Sequence, residues 1–119
     1  MAYDIHSDVK YRPLEIIDAG QLADDCREPW WNQTLCQVNE SVARLGVFLG
    51  EFHWHKHDRE DELFFVLEGT LLLDFEGKTF SLGPRQGMVV PRGVVHRTRA
   101  EVRTVVLMVE AATVVATGD

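Results

Sequence analysis

Residues 52–69 read FHWHKHDREDELFFVLEG, and two kinds of patterning meet in them. The first half carries His53, His55 and His57 at alternate positions, while Leu63 to Leu67 is a continuous apolar run. In a strand, alternate side chains share a face, so a strand over 53–57 would present all three imidazoles on one side. The apolar run predicts a second strand, buried on both faces. Three histidines sharing a face need partners, because protonated rings repel one another and neutral rings hold an unmet donor and acceptor. Two imidazoles at i and i+2 can ligate one ion at about 2.0–2.2 Å. A chance cluster on a solvated strand is the competing reading, and spacing alone does not say which histidines would form the pair.

Working outward, short β-runs alternate with turn residues. Strands are expected over Val42–Leu49, Leu71–Phe75, Thr79–Leu82, Met88–Val90 and Thr104–Val109. Gly50, Gly69, Glu76-Gly77-Lys78, Gly83-Pro84 and Pro91-Arg92-Gly93 punctuate them. Turns at this spacing belong to a sandwich or small barrel, and nothing resembles a βαβ unit, a heptad repeat or a linker. Before residue 35 the pattern is less regular. A short helix within 14–26 is weakened by Gly20, and Trp30-Trp31 reads as a core plug or an interface anchor. The expected organisation is one all-β domain over 1–119, with the barrel at about 35–110.

Twelve basic residues against nineteen acidic ones give a formal charge of −7, which argues against a nucleic-acid partner. No apolar run approaches a membrane span, and Met1 to Lys10 lack the apolar segment of a signal peptide, so a cytoplasmic location is expected. In that reducing setting Cys26 and Cys36 would stay as thiols.

A mixed nitrogen–oxygen shell needs more than one strand can supply. Glu62 follows the histidine cluster, and His96, the only histidine downstream, sits just after the Pro91-Arg92-Gly93 turn. Here the sequence resembles the cupin superfamily. His55-x-His57-x4-Glu62-x6-Gly69 matches its first motif, and Pro91-x-Gly93-x2-His96 matches the core of its second. Trp54 to Gly69, Pro91 to Arg97 and Glu110 to Asp119 correspond to the wording WHxHxxxDELFxVLEG, PxGVxHR and E-x6-T-G-D of small single-domain cupins, which are often described as mannose-6-phosphate-isomerase-like. The resemblance covers about residues 35–119. It implies a jelly-roll β-barrel holding one divalent transition metal ion (Mn, Fe, Co, Ni, Cu or Zn) on His55, His57, Glu62 and His96, and a homodimer. Two departures stand out: four rather than five residues intervene between Gly50 and His55, and Arg85 replaces the glycine expected six before Pro91.

His53 is left over, either as a rim residue bonded to a neighbour or as an acid/base beside the ion. Glu60 and Asp61 read as solvated loop acids, and Lys56 should point away from the ion. Arg92, then Arg85, are the candidates for meeting a phosphorylated ligand, with Arg97 and Arg99 facing outward. Phe64, Val66 and Met108 are candidate pocket-lining residues. The expected partner is a small molecule. Three readings follow: a metal-dependent enzyme (dioxygenase- or sugar-isomerase-like), a non-catalytic module binding a small molecule, sugar or metal, and a protein that the metal merely staples.

Overall fold

The structure, a computed structural model, describes residues 3–119. Met1 and Ala2, the start of the expected domain, lie outside the described residues. The elements run β1 (Asp4–His6), α1 (Ala19–Asp25), β2 (Trp30–Val38), β3 (Ser41–Glu51), β4 (Glu62–Glu68), β5 (Leu71–Phe75), β6 (Lys78–Leu82), β7 (Gly87–Val90) and β8 (His96–Ala111). Together the strands form a jelly-roll barrel of the cupin type.

β8 organises it. Along one edge it pairs antiparallel with β3. Along the other its start pairs with β5 and its later part with β4. β7 adds to β4, β6 closes a hairpin on β5, and β2 lies beyond β3 with β1 parallel to it. Even-numbered residues of β4 and β8 face inward: Glu62, Phe64 and Val66, then His96, Thr98, Ala100, Thr104, Val106, Met108 and Glu110 are all buried. Trp30, Phe48, Phe52, Phe64, Leu71, Leu73 and Met108 fill this interior. Trp30 is 2% exposed and stacks on Phe48 with centroids 4.2 Å apart, so it is a core residue and not an interface anchor. Stacking of this kind adds about 0.5–1.5 kcal/mol to the area the rings bury.

A second cluster lies on the opposite side of the same sheet. Leu45, Val47 and Val105 are covered there by Ala23 of α1, Leu35, Tyr11 and Leu22. β3 is therefore buried on both faces along much of its length. Cys26 and Cys36 pack against this cluster as free thiols. Among the described residues no helix is long and apolar enough to cross a membrane.

Two expectations need correcting, and the short helix expected within 14–26 is present. The segment 53–57 is not a strand: β3 ends at Glu51, and beyond it only His55 makes an isolated bridge, to His96. The stretch expected to be irregular contains the nine-residue strand β2, whose buried polar residues Asn32, Gln33 and Thr34 mask its pattern. The helix spans only 19–25. Leu14, at φ 71°, breaks the chain before it, and Asp18 caps it by accepting a bond from the Gln21 N–H at 2.9 Å.

Outside the barrel, Asp74 is held by four hydrogen bonds. It accepts from Arg97 Nε (2.7 Å), Arg99 Nε (2.6 Å), Arg99 Nη2 (3.1 Å) and Thr79 Oγ1 (2.6 Å). Arg99, with Thr79 and Arg97, holds the Asp74 carboxyl well below the usual carboxylate range despite its partial desolvation. Arg97 also lies over the Trp54 ring, 4.9 Å from its centroid. Gly69, at φ 81°, makes the β4–β5 turn, where an added Cβ would meet Thr104 Oγ1 at 2.5 Å. At the β6–β7 turn Arg85 takes φ 66°, the conformation that the glycine expected there would adopt without strain.

Two stability measurements follow. Asp74→Ala should cost about 2 kcal/mol in urea unfolding at neutral pH. A carboxyl with a depressed folded value stabilises above its unfolded value of 3.8 and loses that effect as pH falls further, so the deficit should shrink in acid. Arg85→Gly should gain up to about 1 kcal/mol, since relief of the left-handed strain slightly exceeds the glycine's added chain entropy.

Candidate metal centre

Four side chains from three parts of the chain meet inside the barrel. His55 and His57 come from the loop after β3, Glu62 opens β4 and His96 opens β8. One ligand atom from each lies within 4.8 Å of all the others. His57 Nε2 and His96 Nε2 stand 3.5 and 3.6 Å from Glu62 Oε1. These distances are long for hydrogen bonds. They suit donors sharing an ion, which at ordinary bond lengths sit about 2.8–3.6 Å apart.

The hydrogen-bond inventory points the same way. Both ring nitrogens of His57, His96 Nε2 and Glu62 Oε1 are buried with no hydrogen-bond partner. Such atoms cost about 1–3 kcal/mol each when left unmet. The other nitrogens are spoken for: His55 Nδ1 donates to His53 O at 3.0 Å, and His96 Nδ1 donates to Val94 O at 2.9 Å. Those bonds fix the tautomer and leave each Nε2 with a free lone pair facing the cluster. Three imidazoles and a carboxylate suit a divalent transition ion and disfavour calcium, which prefers oxygen.

Electrostatics prepare the site. Burial lowers the His55 pKa to about 4, so this ring is neutral at physiological pH. Burial also disfavours charge on His57, but the Glu62 carboxylate beside it outweighs that and raises its pKa. For Glu62 itself, burial favours the neutral acid, yet the neighbouring Glu110 acid and the His57 and His96 rings hold its carboxyl well below the usual range.

Glu110, Arg44 and Asn32 are the residues the sequence reading missed. Glu110 is the register partner of Glu62 on the neighbouring strand, and both point inward. Burial and then Glu62 push the Glu110 carboxyl up to about 10, so at neutral pH the acid pair holds one proton, on Glu110. Arg44 Nη1 approaches Glu110 Oε1 at 3.7 Å, and Arg44 Nε donates to Asn32 Oδ1 at 2.8 Å. A cue was present in the sequence: Arg44 and Glu110 sit at inward-facing positions inside or beside the apolar runs of β3 and β8.

The cluster opens into a pocket lined by Trp30, Phe48, Phe52, Phe64 and Met108, with Asn32, Thr98 and Glu110 as polar points. Val66 is core rather than lining. No lysine or arginine belongs to the lining among the described residues. Arg97 and Arg99 are bound to Asp74 on the outer face, and Arg85 and Arg92 are exposed turn residues. His53 stands outside the cluster, with Nε2 2.6 Å from Thr117 O. Lys56 turns to Asp58 at 2.5 Å. The two loop acids are engaged: Glu60 accepts from Thr113 Oγ1 at 2.7 Å and Asp61 from the Arg92 N–H at 2.9 Å.

A jelly-roll barrel with three histidines and a glutamate gathered on its inner wall defines a class of small metal-site proteins. Comparison with known proteins narrows it: residues 49–111 match the Cupin domain family, and the chain belongs to that family. It is 48% identical over 90 residues to the uncharacterized protein YdbB of Bacillus subtilis, covering 75% of this chain and 80% of that one. Among solved structures, it resembles a cupin-2 domain containing protein from Shewanella frigidimarina at TM-score 0.77 and 28% identity, over 81% of this chain and 94% of that one. Protein NMB1881 from Neisseria meningitidis matches at TM-score 0.73 and 28% identity, over 82% and 99% of the two chains.

Metal binding should depend on pH in a definite direction. The ion needs neutral imidazoles, and His57, with its raised value, is the first ring to compete by protonation. Cobalt or zinc affinity measured by calorimetry should therefore fall about tenfold per pH unit once His57 protonates, and more steeply as His55 follows near pH 4. His96→Ala should abolish stoichiometric metal by elemental analysis while leaving a folded barrel.

Proposed function

We propose that this cupin is a metal-dependent enzyme acting on a small, oxygen-bearing molecule that reaches the ion inside the barrel. The observation that carries the reading is the set of unpartnered donors of His57, Glu62 and His96, gathered with His55 beside an aromatic pocket whose wall includes His55 and Glu62. A bound divalent ion would supply Lewis-acid or oxygen chemistry there, as in dioxygenase- or isomerase-type reactions. The chain's own residues would do the rest. Trp30, Phe52 and Phe64 offer apolar faces that keep water out, and Asn32 and Thr98 offer hydrogen bonds to substrate oxygens.

The lining also bears on the substrate. Phosphate recognition draws on arginine, lysine or clustered N–H donors, whereas this lining offers two carboxyls and no cation. An uncharged molecule with neighbouring carbonyl or hydroxyl oxygens fits better than a sugar phosphate. The second reading, a module that captures such a molecule without turnover, is favoured by one observation. The pocket is narrow, with room beside the cluster for one or two waters.

The test is elemental analysis of protein from native cells, then anaerobic loading with Fe(II) and an oxygen-uptake screen. Oxygen consumption with a 1,2-diketone, thiol or catechol is expected for the dioxygenase form, and aldose–ketose interconversion without oxygen for the isomerase form. Silence in both, with tight ligand binding by calorimetry, would replace the enzyme reading with the binding module.

A further inference from the structure

The C-terminal Thr117-Gly118-Asp119, part of the motif noted in the sequence, has no role in the ligand set. Its contacts nevertheless converge on the loop that carries two of the ligands. Asp119 N donates to Lys56 O at 2.9 Å, and the Asp58 N–H donates to Asp119 Oδ2 at 2.6 Å. His53 Nε2 meets Thr117 O at 2.6 Å, and Thr113 Oγ1 donates to Glu60 Oε2 at 2.7 Å. Gly118 turns at φ 95° directly against a ligand: an added Cβ there would lie 2.6 Å from His55 Cβ and 3.2 Å from its ring. Ala116, just before, lines the metal pocket.

The loop needs such support. Its residues 52–54 and 56–57 lie outside any strand, and its other backbone ties are few. His55 exchanges two bonds with His96 at 2.9 and 2.8 Å, Phe52 N donates to Thr98 O at 2.9 Å, and Gly93 N donates to His57 O at 2.8 Å. Lys56 O and Asp58 N turn instead to Asp119, which takes the place of a neighbouring strand on that side.

We propose that residues 113–119 form a strap in which Gly118 and Asp119 are positioning residues that hold His55 and His57 in ligating geometry. The proposal rests on the metal-site reading above. Only glycine meets both demands at position 118, the left-handed backbone and the close approach to the His55 ring. Asp119 acts through its side-chain oxygen, so an amide oxygen should replace it while a methyl group should not.

Two measurements on the full chain separate the strap from the metal. The first is hydrogen exchange at the Asp58 amide in metal-free protein. Asp119→Ala should speed it about tenfold or more, and Asp119→Asn should stay near the parent rate. The second is the rate at which a chelator strips Co(II), read from the visible spectrum of the ion. Asp119→Ala should accelerate stripping by a similar factor, Asp119→Asn should restore it, and Gly118→Ala should change the Co(II) spectrum itself. Thermal unfolding of the metal-free variants should stay near the parent, because the strap lies outside both core clusters. Unchanged exchange in Asp119→Ala would overturn the strap. Faster exchange with parent-like stripping and spectra would overturn the positioning role. A parent protein that takes up no cobalt would overturn the metal reading instead, with the exchange result still deciding whether the strap holds the loop.

Discussion

Burying three imidazoles and a carboxylate in the wall of a 119-residue barrel costs free energy that their mutual contacts do not recover. Distances of 3.5 and 3.6 Å between Glu62 and the two rings leave lone pairs facing one another, an arrangement that a shared cation would satisfy. Much of the architecture serves to hold this unfavourable group together. β8 places His96 at one end and Glu110 near the other, β4 delivers Glu62, and the bridge between His55 and His96 draws in the loop. Aromatic side chains then enclose it, which strengthens every electrostatic interaction inside.

The acid pair shows how the interior tolerates so much polarity. Two carboxylates on facing residues of neighbouring strands would repel each other if both were ionised. Burial and Glu62 keep Glu110 protonated, and Arg44 stands beside it with Asn32 behind. Glu62 can thus remain an anion on the ligand side, with the Arg44 guanidinium behind the acid pair offsetting its charge. A buried network of this kind favours one arrangement over its alternatives, because a shift of any member would leave another unpartnered.

Strand periodicity carried the fold wherever the apolar pattern was unmixed. Leu71–Phe75 was legible to the residue, the readings at 79–82 and 88–90 differ from β6 and β7 by one residue at the start, and that at 63–67 differs from β4 by one residue at each end. Legibility failed where polar side chains point inward. β2 hides behind Asn32, Gln33 and Thr34, and the first half of β8 hides behind arginines that alternate with buried His96 and Thr98. The histidine segment failed for the opposite reason: its alternation imitates a strand, while its backbone is tied by a bridge, a turn and the C-terminal segment. The gathering of His55, His57, Glu62 and His96 was legible only through motif offsets, since spacing alone did not separate them from His53. Arg44 and Glu110 were passed over despite their place in or beside apolar runs, because charge in a strand ordinarily signals solvent and the barrel closure decides which face is interior.

The Asp74 clamp has a consequence for how the chain finds its register. Thr79, Asp74 and Arg97 are cross-strand partners on the outer face of β6, β5 and β8, and one position along each chain Phe75 faces His96. A slip of a single residue between β5 and β8 would exchange the faces, turning His96 to the solvent and driving guanidinium groups into an aromatic interior. The pairing on the outside thus selects the register on the inside: a form one residue out of phase would lose the clamp and gain buried charge together.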